Sequence, residues 1–356
     1  CGVIVENVGG RAAYTAGCII DASGDARVAA DAGAEIVVGD EAGRTQAMTL
    51  MFLVGGVPDS LSEGEMLYKR VAPYYAKEGI EMPFTFPYLI PAPGVHYAVI
   101  QYTHMHGIHP LSAEERSFAC VEGRRQMMEM MRLLHENDPE LRHLELIGSA
   151  PVLGVRESRR IVGEYVFTGM DIAYARKFDD VITISQHGFD LHGFEEAGNM
   201  KWFRGTLPDG REAYIANRAG WGTQLPPEDG LPRVNMKELI DDDMIYYYEI
   251  PYRALVPVRM ENVLAAGRNI SSDIPGQSGT RLVMCCMSLG EAAGTAAALS
   301  LKENVPPRAV NIAELQRTLV KNGLNIGQGF RKLPALEALG DADYSDYHEK
   351  LINGNG

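Results

Sequence analysis

The chain has 356 residues, 46% hydrophobic and 22% charged, a composition typical of a soluble globular protein with room for one large or two ordinary domains. Against 47 acidic residues stand 33 basic ones, and the formal charge of −14 speaks against nucleic acid or an anionic membrane surface as a partner. No apolar run is expected to be long enough to span a bilayer.

From the N-terminus, Val3 to Glu6 and Arg11 to Ala16 flank Asn7-Val8-Gly9-Gly10, which predicts a hairpin. Gly2 to Glu6 reads as a strand inside a sheet, not as a polar tether. Cys1 is therefore expected to be the start of a piece cut from a longer protein, with a lipidated Cys1 as the alternative. Cys18-Ile19-Ile20 predicts a short buried strand ending at Asp21-Ala22-Ser23-Gly24-Asp25, followed by a helix from Ala26 to Ala32 that Gly33 closes. Strand, small-residue turn and helix form a doubly wound unit.

The character changes near Met48. Thr49 to Val54 and Ala98 to Tyr102 read as strands. Ser112-Ala113-Glu114-Glu115 is a capping box that opens a long helix, with Phe118, Val121, Met127, Met131 and Leu134 as its apolar stripe. The cluster Met127, Met128, Met130 and Met131 reads as core filling. Extended pieces are expected at Glu145 to Ile147, Arg160 to Val162, Val181 to Ser185 and Glu249 to Leu255, with a hairpin from Trp202 to Asn217 around Pro208-Asp209-Gly210. Asn262 to Ala266 is an apolar strand that runs into Gly267-Arg268. A helix is then expected to start near Arg281 and to lie tight on a sheet through Gly290, Ala292, Ala293, Gly294, Ala296 and Ala297. Asn311 to Asn322 is a further helix, and the tail from Gly323 to Asn353-Gly354-Asn355-Gly356 ends loosely.

A helix that starts beside Arg281 carries free N–H groups and a partial positive charge at its first turn. Directed at the N1 and O2 edge of an isoalloxazine, that end stabilises the negative charge of a reduced flavin. Gly279 would let the backbone approach closely. A buried Ala-rich helix without a ligand is the competing reading.

Arg156, Arg159 and Arg160 crowd one stretch, and a guanidinium can clamp a carboxylate or phosphate through two parallel bonds. Salt bridges with Glu157 are the plainer role for Arg159 and Arg160, while Arg156 suits a cofactor or substrate contact. Arg253 is either a structural residue or a cleft residue. His192, two residues from Asp190, is the best acid or base, set against a surface loop histidine. His104, His106 and His109 invite a metal, and with it a metal-assisted hydrolase, but no carboxylate or cysteine lies at a ligand spacing, so no metal is expected. The cysteines Cys1, Cys18, Cys120, Cys285 and Cys286 match no zinc pattern, and the adjacent pair points to different faces. Reduced thiols and a cytoplasmic protein are the expectation.

Several of these segments together resemble one family. Ile20 to Asp25 with Ala32-Gly33-Ala34 is similar to the "IDATGD…AGA" segment of bacterial FAD-dependent oxidoreductases, relatives of the glutathione-reductase and fumarate-reductase flavoproteins. Gly154 to Arg160 with Gly163 and Tyr165 resembles their "GxRESRR…G.Y", and Asp190-Leu191-His192 their "DIH". Ile250 to Pro257 resembles "IPYRALLP", and Asn262 to Ala298 resembles "NLLVAGR…RVMPTCMALGQAAGTAAA".

The resemblance implies an α/β fold: the C-terminal part of a doubly wound, Rossmann-like FAD-binding domain with an inserted α+β substrate domain. Residues 1–47 would be the first piece of the FAD domain, 48–250 the insert, 251–303 the return piece, and 304–356 a C-terminal helix and tail. It implies FAD as cofactor and hydride transfer between flavin N5 and a small organic substrate, which the arginines suggest is anionic. His192, Arg156 and Arg253 would be catalytic. Ser23, Gly24, Asp25, Gly267, Arg268, Gly279, Arg281, Leu282 and Val283 would hold the cofactor. Ser23 stands where the family usually has Thr and keeps the hydroxyl. The family's G-x-G-x-x-G turn and its acidic ribose contact do not occur in the sequence. An N-terminal FAD-domain segment or subunit is therefore an expected partner, and the alternative function is a non-catalytic or truncated flavoprotein fragment that needs that segment to bind FAD.

Overall fold

The computed structural model describes residues 2–61, 65–92, 96–194, 198–240 and 245–337. Cys1 and the end of the tail lie outside the described residues. The fold is mixed α/β.

Strands β1 (Gly2–Asn7) and β2 (Gly10–Thr15) form the expected antiparallel hairpin. Asn7 closes its turn by accepting the Gly9 N–H at 2.8 Å. Among the described residues the hairpin is not part of a larger sheet, contrary to expectation: Ile4 and Tyr14 are 66% and 57% exposed, and the two strands pair with each other alone. Next come β3 (Ile19–Asp21), the short helix α1 (Arg27–Asp31) and β4 (Ile36–Val38).

The following stretch builds one antiparallel sheet with two helices. Strands β5 (Phe52–Gly55), β6 (Glu65–Met66), β7 (Tyr88–Pro91), β8 (Tyr97–Gln101) and β9 (Glu145–Ser149) pair in the order β6-β7-β8-β5-β9. Helices α2 (Tyr68–Glu78) and α3 (Ala113–Asn137) pack together and close a core that includes Phe52, Val54, Leu89, Ile100, Met130 and Leu134. Ser112 caps α3 by accepting the Glu115 N–H at 3.2 Å. Only half of the predicted capping box forms, because the Glu115 carboxylate takes the His109 N–H instead, at 2.6 Å. The expected apolar stripe fails at its N-terminal end. Phe118 and Val121 are exposed, while Ala119, Gly123 and Gln126 face inward. Met128 also faces solvent, and the other three methionines of the cluster are buried.

Beyond the sheet lie β10 (Arg159–Ile161), antiparallel to β4, then α4 (Gly169–Ala173), β11 (Val181–Ser185), β12 (Leu191–His192) and β13 (Asn199–Met200). The hairpin of β14 (Trp202–Thr206) and β15 (Glu212–Ala216) turns at Gly210 as expected, and β16 (Arg233–Asn235) joins it in parallel. β17 (Tyr248–Pro251) pairs with β11, but Tyr252 to Leu255 forms a 3-10 turn where a strand is expected.

β18 (Val263–Ala265) lies parallel to β3 and brings the turn after Asp21 beside the turn at Gly267. A short helix, α5 (Ile274–Thr280), follows, then α6 (Val283–Glu303), α7 (Ile312–Lys321) and α8 (Pro334–Glu337). α6 packs on β3, β18 and β11 through Leu289, Ala292, Ala293 and Ala296. Its alanines let the backbone lie close to the strands; Gly290 and Gly294 do not contribute, since each faces open space.

One expectation about membranes needs correction. α6 is 21 residues long with a mean hydropathy of 1.3, long and apolar enough to cross a bilayer by length and composition. The Ala-rich packing stripe raises the hydropathy, and in this fold that stripe is core.

Candidate active site

Two strand ends meet where β3 and β18 stop. Asp21 gathers the first turn: its carboxylate accepts the Ser23 hydroxyl at 2.6 Å and the Ala29 N–H at 2.8 Å. The Ser23 oxygen in turn accepts the Arg27 N–H at 3.0 Å, so the hydroxyl is engaged in starting α1. Arg268 ties the second turn to the first. It donates to the Gly24 carbonyl at 2.9 Å, to Asp25 at 2.5 Å and to the Val155 carbonyl. A Cβ on Gly24, where φ is +73°, would sit 3.0 Å from the Arg268 guanidinium, so glycine is required there. Burial disfavours the Asp25 anion, but the Ser158 hydrogen bond and the Arg268 charge outweigh it and hold the carboxyl below its ordinary range.

α6 starts at Val283, near Arg281 as expected, but Arg281 itself caps the C-terminal end of α5. Seven residues that include Pro275, Gly276 and Gly279 carry little helix propensity, and tertiary contacts hold α5 in place. Asp273 caps it through the Gly276 N–H at 2.6 Å. A Cβ on Gly279 would meet Ile172 at 2.5 Å and the Tyr248 hydroxyl at 2.8 Å, so this glycine serves packing inside the fold and is not presented to a ligand.

The first turn of α6 is open. Leu282 offers no side-chain cap, and the turn contains no acidic residue. The N–H groups of Val283, Met284 and Cys285 find no acceptor among the described residues. Val283, Met284 and Met287 are 74%, 76% and 64% exposed, which makes an apolar surface next to three free donors. The charges of Arg268 and Arg281 both act on Cys286 in this part of the helix, and its first turn contains no carboxylate.

Immediately before this helix, Arg281 reaches back to β12. Its guanidinium donates to the Asp190 carbonyl at 2.9 Å and lies 3.4 Å from the Asp190 carboxylate. The Asp190 N–H donates to the Ser278 hydroxyl of α5 at 3.0 Å. His192 is 3% exposed, with Nε2 3.3 Å from Asp190 Oδ2 and Nδ1 3.0 Å from His104 Nε2. Arg156 donates to the Ala47 carbonyl at 2.5 Å and to His104 Nε2 at 3.3 Å. The Phe84 ring stacks on His104 with centroids 3.9 Å apart.

Burial pushes the His192 imidazole down to about 4, and the Arg156 cation adds to it against the pull of Asp190. Burial, with Arg156 next, also drives His104 well below the ordinary histidine value. Burial lowers Arg156 to about 9, and Arg281 repels it further. Burial would raise the Asp190 carboxyl, but the contact with His192 and the Arg281 and Arg156 charges bring it well below the carboxylate range. At neutral pH the cluster therefore holds two cations, one anion and two neutral imidazoles.

Stability should follow the His192 shift. An unfolded histidine binds a proton near 6.5, which folded His192 declines until about 4, so stability is lost as pH falls through that window. The full loss is about 3 kcal/mol. His192→Asn should remove this component, so denaturant unfolding of wild type and variant should converge as pH drops from neutral towards the lower value; parallel pH profiles would contradict the assignment.

Of the residues expected to be catalytic, the structure brings together His192 and Arg156. Arg253 is held elsewhere, in an ion pair with Asp180 at 2.9 Å and with its guanidinium over the Tyr165 ring. Of the expected cofactor residues, Ser23, Gly24, Asp25, Gly267 and Arg268 meet at the paired strand ends, and Arg281, Leu282 and Val283 lead into α6. His104 belongs to the cluster and was not singled out for it by its sequence, where only the alternation with His106 is visible. His106 faces the Pro83 carbonyl, and among the described residues no group of three or more potential ligands could hold a metal.

The family model for FAD dependent oxidoreductases matches residues 1–319. The chain belongs to this family. FAD is therefore its cofactor, and flavin redox chemistry its class of function. No curated protein and no solved structure matches the chain. The residues present fit the ring end of FAD: three free N–H donors beside an exposed apolar surface suit the polar edge and flat face of an isoalloxazine. The sequence provides no G-x-G-x-x-G turn for the FAD phosphates.

Proposed function

We propose that the protein exchanges a hydride between a small organic anion and FAD, and that the opening turn of α6 faces the flavin. The observation that carries this reading is the uncapped α6 N-terminus, which begins two residues after the arginine that holds Asp190. When bound, FAD supplies two-electron chemistry at N5. The amides of Val283, Met284 and Cys285 would stabilise negative charge on the ring edge. Arg156 and Arg281 would hold an anionic group of the substrate, since both cations are buried beside Asp190, and the other carboxylate that acts on Arg281, Glu157, is already paired with Arg160. His192, neutral at working pH, would accept the proton that leaves the substrate as it is oxidised. A bound anion would offset the arginine charges and make His192 a stronger base.

In fold terms, we read β3, β18 and α6 as part of a doubly wound domain, and the sheet of β5 to β9 with α2 and α3 as lying in the inserted substrate domain. Titration of the full chain with FAD tests the reading. The expected result is saturable quenching of flavin fluorescence with a perturbed visible flavin band. Unchanged flavin spectra at saturating protein would overturn it.

A further inference from the structure

The hydrogen bonds around His104 determine which nitrogen of His192 carries the proton. His104 Nδ1 lies 3.2 Å from the Tyr102 carbonyl, which can only accept, so Nδ1 holds the hydrogen. Gln126 fixes this arrangement by clamping the His104 backbone on both sides: its amide oxygen accepts the His104 N–H and its amide nitrogen donates to the His104 carbonyl, each at 3.0 Å. His104 is buried and neutral, so its Nε2 is a bare acceptor, and Arg156 donates to it at 3.3 Å. The remaining contact of that lone pair is His192 Nδ1 at 3.0 Å, which must then be the donor. Neutral His192 consequently has a bare Nε2, 3.3 Å from an Asp190 carboxylate that can only accept. Two acceptors facing each other form a vacant place for one proton, with a counter-charge already beside it.

We propose that His104 is a positioning residue that locks His192 in the Nδ1–H tautomer and so leaves Nε2 as the proton acceptor of the site. This assignment deepens the role given to His192 under the flavin reading, although the tautomer itself needs no flavin. The groups facing His192 are Asp190 on the same segment, Arg281 after α5, Arg156 before β10, and His104 and Phe84 from the neighbouring sheet region. None of them but His104 offers His192 Nδ1 an acceptor. Without His104, Nδ1 has no hydrogen-bond partner among the described residues, and the hydrogen moves to Nε2, where Asp190 accepts it.

The test is the ring-nitrogen NMR spectrum of the full chain, labelled with nitrogen-15 in its histidine rings and recorded at neutral pH without FAD, with His192→Asn to assign the signals. In wild type, His192 is expected to show a protonated Nδ1 and an unprotonated Nε2. In His104→Phe, whose ring can retain the stack on Phe84, the two shifts should exchange. In His104→Gln, whose amide oxygen can accept the same bond, they should not. A wild-type His192 protonated at Nε2 overturns the assignment by itself, whether or not the variants fold; so does a swap in both variants or in neither. Because these spectra contain no flavin, a failed tautomer assignment leaves the flavin reading standing, and failure to bind FAD leaves the tautomer standing.

Discussion

Replacing Glu157 by alanine is expected to destabilise the fold by about 3–5 kcal/mol, the usual effect of removing one partner of a buried ion pair. The Glu157 and Arg160 side chains are 0% and 4% exposed and meet at 2.6 Å. The other Glu157 oxygen accepts both the backbone and side-chain N–H groups of Gln46 at 3.3 Å. Arg160 extends the network to the Ser272 carbonyl at 2.9 Å and the Gly39 carbonyl at 3.0 Å. Alanine would leave the buried guanidinium hydrogen-bonded to neutral carbonyls only, with Asp273 as its remaining counter-charge. Glu157→Gln retains an acceptor and the side-chain shape, so its effect should be smaller. Urea unfolding of the three proteins decides the matter, and a Glu157→Ala loss below about 1 kcal/mol would place the pair among weak surface bridges. The network also reaches the site, because the Gln46 side-chain oxygen accepts the His192 N–H at 3.0 Å.

His192→Asn should slow reduction of bound FAD by an organic donor about 10²–10⁴-fold, the range in which a positioned acid or base contributes. Asparagine cannot accept a full proton, although it can still hydrogen-bond in the same place. FAD affinity should change far less than the rate, since the donors assigned to the ring edge are the backbone amides of α6. Single-turnover reduction of the two FAD-loaded proteins by a donor that reduces wild type is the measurement. Equal rates would remove His192 from the chemistry and leave it a buried packing residue.

How much of this was legible in the chain depended on whether the determining contacts were local. The hairpin around Asn7, the Ser112 cap and the β14–β15 turn at Gly210 each rest on neighbours a few residues apart, and each forms as expected. The parallel pairing of β3 with β18 joins segments far apart in sequence, and there the recognisable words of the family carried the reading. What local pattern missed was decided by tertiary contact. α5 is poor in helix formers and exists because Gly279 lets Ile172 and Tyr248 close on it. Phe118 and Val121 fit a helical stripe by spacing, yet the side of α3 that turns inward there is the one with Ala119, Gly123 and Gln126, which meet Leu50, Met105 and the His104 backbone. In the site, Asp190 beside His192 could be anticipated from an extended D-x-H segment. The His104–His192 contact spans 88 positions, and no pattern along the chain announces it.

The most direct test of the account is the reduction potential of FAD bound to wild type and to Val283→Asp. A carboxylate in the first turn of a helix ordinarily favours that helix by about 0.3–1 kcal/mol, so the variant should fold. If the opening turn of α6 faces the electron-rich edge of the reduced flavin, the added negative charge must make the potential more negative and weaken FAD binding. An unchanged potential and unchanged affinity in a folded Val283→Asp protein would contradict it.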